Sequence, residues 1–249
     1  MHSAIAWSYD LLDPPTQALF RPPAVFSGGI SVAAAEATAP EESAGATLDA
    51  LGALVINSLL HRSDAADGSR LHMLETVREF AQDRLTQSDE AETARRAHAM
   101  YFSQFMEEMD PLLWSSASSS LLNSVALEHD NLRAALEWTL VHDPALALGI
   151  AQRVGAFWQK RTLWNEGRAW LKRVLEATPP DPSPDRAIAL GRAGALAGDQ
   201  GDFVEAVSLL NETLEMAEVL GDAGISARAF RGLGIVASNQ SDFPRANEL

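Results

Sequence analysis

Apolar residues in the first ninety positions recur with a helical period in several short segments. Residues 48–58 carry them at positions 48, 51, 54 and 55, and residues 74–85 carry them at 77, 80, 81 and 85. Further helices are predicted at 4–12, after the Asp13-Pro14-Pro15 break, and at 31–38. Between the last two periodic segments, 59–62 and 70–73 flank the turn dipeptide Asp67-Gly68 and predict a β-hairpin. Helices followed by a two-stranded wing outline a winged-helix domain, which we place at 1–88.

The next stretch, 89–143, predicts a helical connector. Its first helix spans 90–110, with apolar positions at 94, 97, 101 and 105. The serine-rich segment 115–120 predicts a flexible connection. A second helix, running through Leu140, is expected to begin at a cap formed by Asp130 or Asn131.

From residue 144 onward the sequence repeats itself with a period of about 40 residues. Gly155, Gly194 and Gly234 are spaced by 39 and 40 positions, and each is followed twelve residues later by another small residue. Those partners are Gly167, Ala206 and Ala246. Such a period predicts a solenoid of helix pairs, with the small residues letting facing helices approach closely. We place the pairs at about 144–178, 186–221 and 223–249, the last truncated, and expect Asp202 and Glu205 to form a capping box.

The fold class predicted from these patterns is mostly α, with a winged helix, a helical connector and an α-solenoid. The repeats resemble tetratricopeptide repeats, and the chain as a whole resembles the bacterial STAND-class signalling ATPases, including the large LuxR-type transcriptional regulators. Five stretches carry the resemblance: 4–12 (AIAWSYDLL), 24–29 (AVFSGG), 54–60 (LVINSLL), 73–79 (MLETVRE) and 128–138 (EHDNLRAALEW).

The resemblance implies that a nucleotide-binding domain of the NB-ARC type precedes this region and that the winged helix holds it in an inactive state. ATP, ADP and magnesium would be bound by that domain. This chain contains no G-x-x-x-x-G-K-[ST] phosphate loop, so we expect no enzymatic activity, no catalytic residue and no cofactor of its own. His72 resembles the histidine that senses bound ADP in related proteins, although Met73 replaces the aspartate of that motif. A plain wing histidine is the alternative interpretation.

The charge and the composition exclude several functions. The net charge is −15, and residues 1–90 hold 5 basic and 13 acidic side chains, which argues against direct DNA binding by the winged helix. The chain has no cysteine, which excludes disulfides and thiolate metal sites, and the histidine spacing indicates no zinc site. Neither a signal peptide nor a membrane-spanning segment is evident, so we expect a cytoplasmic protein.

The first repeat carries a local basic and aromatic group that is a candidate partner-binding surface. Its members are Arg153, Trp158, Lys160, Arg161, Trp164, Arg168 and Lys172. A solvated helix face for the cations and core packing for the tryptophans are the alternatives.

We therefore expect a non-catalytic sensor fragment of a longer regulator. A stand-alone repeat scaffold and a DNA-binding regulator are the alternatives, and the truncated last repeat predicts self-association.

Overall fold

The computed structural model describes residues 2–40, 46–65, 68–115 and 118–248. The α-helices are His2–Asp10 (α1), Pro14–Phe20 (α2), Val32–Thr38 (α3), Thr47–Ile56 (α4), Glu75–Gln87 (α5), Ala91–Leu112 (α6), Ser118–Leu127 (α7), His129–His142 (α8), Pro144–Lys160 (α9), Trp164–Ala177 (α10), Pro184–Asp199 (α11), Phe203–Leu220 (α12), Ala223–Asn239 (α13) and Phe243–Glu248 (α14). A 3₁₀ helix spans Pro22–Val25, and two strands span His61–Ala65 (β1) and Gly68–His72 (β2). The predicted fold class is confirmed: the described residues are mostly helical, with a short hairpin and solenoid-like helix pairs.

Local signals start the N-terminal helices where the sequence predicts them. The Asp13 carboxylate accepts a hydrogen bond from the Thr16 amide at 2.9 Å, and prolines occupy the first positions of α2. Ser31 caps α3 in the same way through the Ala34 amide. Such caps satisfy amide groups that have no partner within the helix.

The predicted hairpin is confirmed and belongs to a three-segment arrangement. β1 and β2 pair antiparallel with His61 opposite His72, while Asp67 of the predicted turn lies outside the described residues. Ile30 adds an isolated bridge to Leu71 through hydrogen bonds of 2.8 and 2.9 Å. This bridge fixes the loop before α3 against β2.

The chain forms two compact units. One contains residues 1–105 and 123–138, and the other contains 106–122 and 139–249. The helices of the predicted connector are therefore shared between the two units, and the domain boundaries at 88 and 143 stay predictions.

Two local predictions in this region are wrong. Residues 118–120 of the expected flexible connection begin helix α7, while 116–117 lie outside the described residues. Helix α8 already begins at His129, so Asp130 and Asn131 lie within its first turn and do not precede it as caps. A single residue, Glu128, separates α7 from α8, so α8 begins before either of the predicted caps.

In the second unit, α9 to α14 form successive helix pairs whose first helices, α9, α11 and α13, also pack on one another. A methyl group added at Gly194 would lie 2.9 Å from Leu210 Cγ and 3.3 Å from the Ala206 carbonyl oxygen. The predicted close approach of the facing helices is confirmed for this pair. Only half of the predicted capping box is present: Asp202 accepts from the Glu205 amide, but its own amide donates to the Ala197 carbonyl.

No helix in the described ranges is both long and apolar enough to cross a membrane.

Candidate functional site

A buried ion pair joins the wing to the start of α8. The Arg70 guanidinium on β2 donates to both carboxylate oxygens of Glu128, at 2.5 and 3.1 Å, and both side chains are over 90% buried. Arg70 also donates to the carbonyl oxygens of Gly28 and Gly29. Because a buried charge is costly without a partner, this pair holds the loop and the strand in one arrangement.

Asn131 completes this contact, which we call the clasp: Arg70, Glu128, Asn131 and the loop 27–29. The Asn131 amide oxygen accepts hydrogen bonds from the Ser27 and Gly28 amides. Its nitrogen donates to the Gly29 carbonyl and to Glu128. The stretches 24–29 and 128–138, which are separate parts of the family resemblance, are therefore in direct contact through these hydrogen bonds.

His72 lies against the backbone of this loop. Gly29 adopts a φ of +84°, and a methyl group added there would lie 2.4 Å from His72 Cε1. The half-buried imidazole borders a small cleft of about 130 Å³ that Arg78 also lines. Glu75 accepts hydrogen bonds from Arg78 at 2.6 and 3.2 Å. The cleft therefore holds a histidine and an arginine, two groups that can donate to phosphate oxygens.

His98 is a second histidine of this unit, and it is buried. Its ring packs edge-on against Phe26 at 4.7 Å and tilted against Phe102 at 4.7 Å. Burial lowers the pKa of His98 to about 4, although a side-chain hydrogen bond with Asn131 acts in the opposite direction. The imidazole is consequently neutral at pH 7 and belongs to the core.

Helix α4, which precedes the wing, exposes an apolar face. Leu48 and Ile56 are 62% and 83% exposed, and the helix contains Asp49 but no lysine or arginine. A helix that reads DNA from this position needs cations to meet phosphate. Helix α4 therefore offers no cation of its own to a phosphate group.

Residues 12–86 match a winged helix-turn-helix domain. The match covers α2 to α4, the wing and all but the last residue of α5.

Over 245 residues the chain is 29% identical to proteins described as HTH-type transcriptional regulators from Mycobacterium bovis and Mycobacterium tuberculosis. The alignment covers 94% of this chain but 28% of those relatives. A solved STAND protein with a tetratricopeptide repeat sensor from Pyrococcus horikoshii aligns with 96% of this chain and 50% of its own, at 13% identity and a TM-score of 0.32. That similarity is too low to carry an argument.

The structure divides the predicted partner-binding group between buried and more exposed positions. Trp158 is fully buried in α9, so its assignment to a contact surface is wrong, and core packing explains it. Arg168 donates to Gln200 and to Asp202, each within 2.8 Å, and pairs with Glu205. Its role is to connect α10 to the next helix pair.

The remaining members are spread over different environments. Lys160 lies 4.6 Å above the Trp114 ring, and Arg153 donates to the Gly149 carbonyl in its own helix. Trp164 is half-buried, Arg161 is exposed, and Lys172 is exposed beside Glu176 at 3.9 Å. Whether any of these side chains contacts a partner stays a prediction.

A different set of cations converges on a groove that the sequence analysis missed. The groove has a volume of about 310 Å³ and lies between α11 and α13, and Arg192, Arg228 and Arg231 line it. Trp114 forms part of the wall, and Asp110 accepts a hydrogen bond from Arg192 at 2.9 Å.

A sequence signal for this groove was present. Arg153, Arg192 and Arg231 are each 39 positions apart, which is the period of the repeat. Equal positions in successive repeats fall on the same face of successive helices, so this spacing predicts a row of cations along α9, α11 and α13.

Proposed function

We propose that this chain is the regulatory part of a longer signalling regulator, in which the winged-helix domain docks on a nucleotide-binding domain and the repeats receive a protein or ligand signal. The exposed face of α4 carries this proposal. Two large apolar side chains exposed on the helix before the wing favour a surface that another protein covers.

Two features favour protein docking over DNA binding. Leu48 and Ile56 would each lose contact with water on docking, and burying one such side chain contributes about 1.5–3 kcal/mol. DNA binding would instead require phosphate contacts, and α4 offers no cation for them while the first 90 residues carry a balance of −8.

The cleft beside His72 supports the choice of a nucleotide-binding domain as the partner. A volume of about 130 Å³ is below that of ordinary small-molecule sites, which suits one phosphate group of a nucleotide held by another domain. His72 and Arg78 would donate hydrogen bonds to the phosphate oxygens, and Arg78 would give up its ion pair with Glu75 to do so. His72 then has a sensing role, and its replacement by alanine is expected to weaken ADP retention in the assembled protein.

This chain would contribute no catalytic group. The sequence has no phosphate loop, so any hydrolysis of ATP would take place on the partner domain. The helix pairs would act as tetratricopeptide-type sensor repeats, and differential contacts of the winged helix in two states would transmit their signal.

The test measures docking on the nucleotide-binding domain encoded upstream in the same reading frame or by a neighbouring gene. Isothermal titration calorimetry compares the wild-type chain with L48E and I56E, and V204E on α12 is the control because Val204 is 85% exposed in the other unit. We expect each α4 variant to weaken docking at least tenfold and the control to leave it unchanged.

Three results would contradict the proposal. Equal docking by all variants removes α4 from the interface. A reading frame and neighbourhood with no phosphate loop favours the stand-alone scaffold. A duplex DNA mobility shift that weakens with salt favours the DNA-binding regulator.

A further inference from the structure

The groove between α11 and α13 combines an apolar wall with a surplus of positive charge. Its apolar part includes Ile188, Leu210, Ile225 and Ile235, while Arg228 and Arg231 are exposed at its edge. Pockets that bind small molecules have this composition, an apolar lining with a few convergent polar groups, and volumes from about 300 Å³ upward.

The arginines of the groove retain unused hydrogen-bonding capacity. Within the described residues Arg231 makes no hydrogen bond or ion pair, and Arg228 donates only through Nε to the Gly224 carbonyl. The Nε of Arg192 is buried and lacks a hydrogen-bond partner among the same residues. A guanidinium has five N–H donors, so the three side chains together offer several for one acceptor group.

Arg192 of the groove already pairs with one carboxylate, that of Asp110. Its carboxylate lies 2.9 Å from Arg192 Nη2, and the two side chains are 19% and 13% exposed. Burial raises the pKa of Asp110, while Arg192, Arg228 and Arg153 act to lower it. Burial also lowers the pKa of Arg192, and repulsion from Arg228 and Arg231 adds to that effect. One carboxylate therefore leaves the cluster with uncompensated positive charge, which a second anion would relieve.

We propose that this groove binds a small organic carboxylate with an apolar body, and that Arg192, Arg228 and Arg231 hold its carboxylate group. The apolar part would lie on Ile188 and Ile225, and Asp110 would compete with the ligand for Arg192. This inference rests on the proposed function in one respect, since it names the chemical class of the signal that the repeats receive.

The volume and the charge together favour this occupant over a polypeptide. About 310 Å³ accommodates a compact molecule but only a short part of a peptide chain. A carboxylate on Arg192 also reproduces the contact that Asp110 already makes. Trp114 stands at the groove with the Arg192 guanidinium 5.4 Å and the Lys160 ammonium 4.6 Å from its ring centre, so its fluorescence should report occupancy.

The experiment measures binding to the full chain by isothermal titration calorimetry. The probes are octanoate, 4-phenylbutyrate and 1-naphthylacetate, each compared with the alcohol of the same carbon skeleton. We expect at least one carboxylate to bind and its alcohol to bind at least tenfold more weakly, because a charge-assisted hydrogen bond is lost.

Variants locate the site. R228Q/R231Q should weaken carboxylate binding at least tenfold, D110N should strengthen it several-fold by removing the competitor, and the W114F variant should lose the fluorescence response. R245Q is the matched control because Arg245 is an exposed arginine on α14 outside the groove. Both arginines of the double variant are exposed, so circular dichroism should show an unchanged fold.

The proposal is overturned if no carboxylate binds, if acid and alcohol bind equally, or if R228Q/R231Q binds like the control. Binding of a peptide rich in aspartate and leucine, without binding of any small carboxylate, would assign the groove to a polypeptide. None of these results bears on docking through α4, so a failure here is distinguishable from a failure of the proposed function.

Discussion

The buried His98 makes the winged-helix unit sensitive to mild acid. Its pKa is lowered from 6.5 to about 4 by burial between Phe26 and Phe102, whereas the unfolded chain titrates near the ordinary value. At a pH between these two pKa values, His98 is protonated in the unfolded state and neutral in the folded state. The contribution of His98 is therefore fully present above pH 6.5 and is lost as the pH falls toward 4.

The magnitude follows from the gap between the two pKa values. One pKa unit corresponds to about 1.4 kcal/mol, so the full loss is about 3 kcal/mol, of which about 2 kcal/mol is reached between pH 7 and pH 5. The H98L variant has no ionisable group at this position, so it lacks this acid-dependent loss of stability. It should be less stable than the wild-type chain at pH 7, because the contact with Asn131 is lost, and approach it at pH 5.

Urea unfolding at pH 7 and pH 5, followed by circular dichroism, measures the free energy of unfolding of wild type, H98L and H61L. His61 is an exposed histidine on β1, so H61L should retain the wild-type loss on acidification. The comparison between variants cancels the contribution of the carboxylates. An equal acid loss in H98L and wild type, or an NMR titration of His98 with a midpoint near 6.5, would refute the reasoning.

Two further predictions concern the clasp. The first is that G29A destabilises the chain by more than about 3 kcal/mol in thermal unfolding, because Gly29 has a positive φ and the added methyl group meets His72. The control G201A should cost about 1 kcal/mol, because Gly201 has a φ of +82° but open space around it, and adding H72A to G29A should recover part of the difference. The second is that E128A destabilises the chain by about 3–5 kcal/mol, because it leaves Arg70 buried without its carboxylate partner. Adding R70M to E128A should restore much of the lost stability. If urea unfolding shows that the costs of the two substitutions simply add, the two side chains are not coupled.

Elements set by local signals could be predicted from the sequence. Asp13 and Ser31 cap helices because their side chains reach amides three residues ahead, a contact that needs no knowledge of the rest of the fold. The hairpin and the paired helices of the repeats have the same origin in short-range pattern.

Contacts between distant segments could not be predicted from the sequence. Asn131 was expected to cap its own helix. Its amide oxygen instead accepts a hydrogen bond from the backbone amide of Ser27, 104 positions away, and no local pattern encodes that contact. Helix α6 shows a related failure. Counting apolar residues selected positions 97 and 101, while the buried face contains His98 and Phe102, because a neutral histidine packs as an apolar ring.

The arginine groove changes how the net charge of −15 is interpreted. A polyanion such as DNA needs a row of cations to meet its phosphates, whereas residues 146–249, which contain the groove arginines, hold 11 basic and 13 acidic side chains. A small carboxylate meets the three guanidinium groups alone. At physiological ionic strength charges more than about 8 Å away are screened, so the local arginines and not the whole-chain charge decide its affinity. The groove is therefore proposed to take a small anion and not a polyanion.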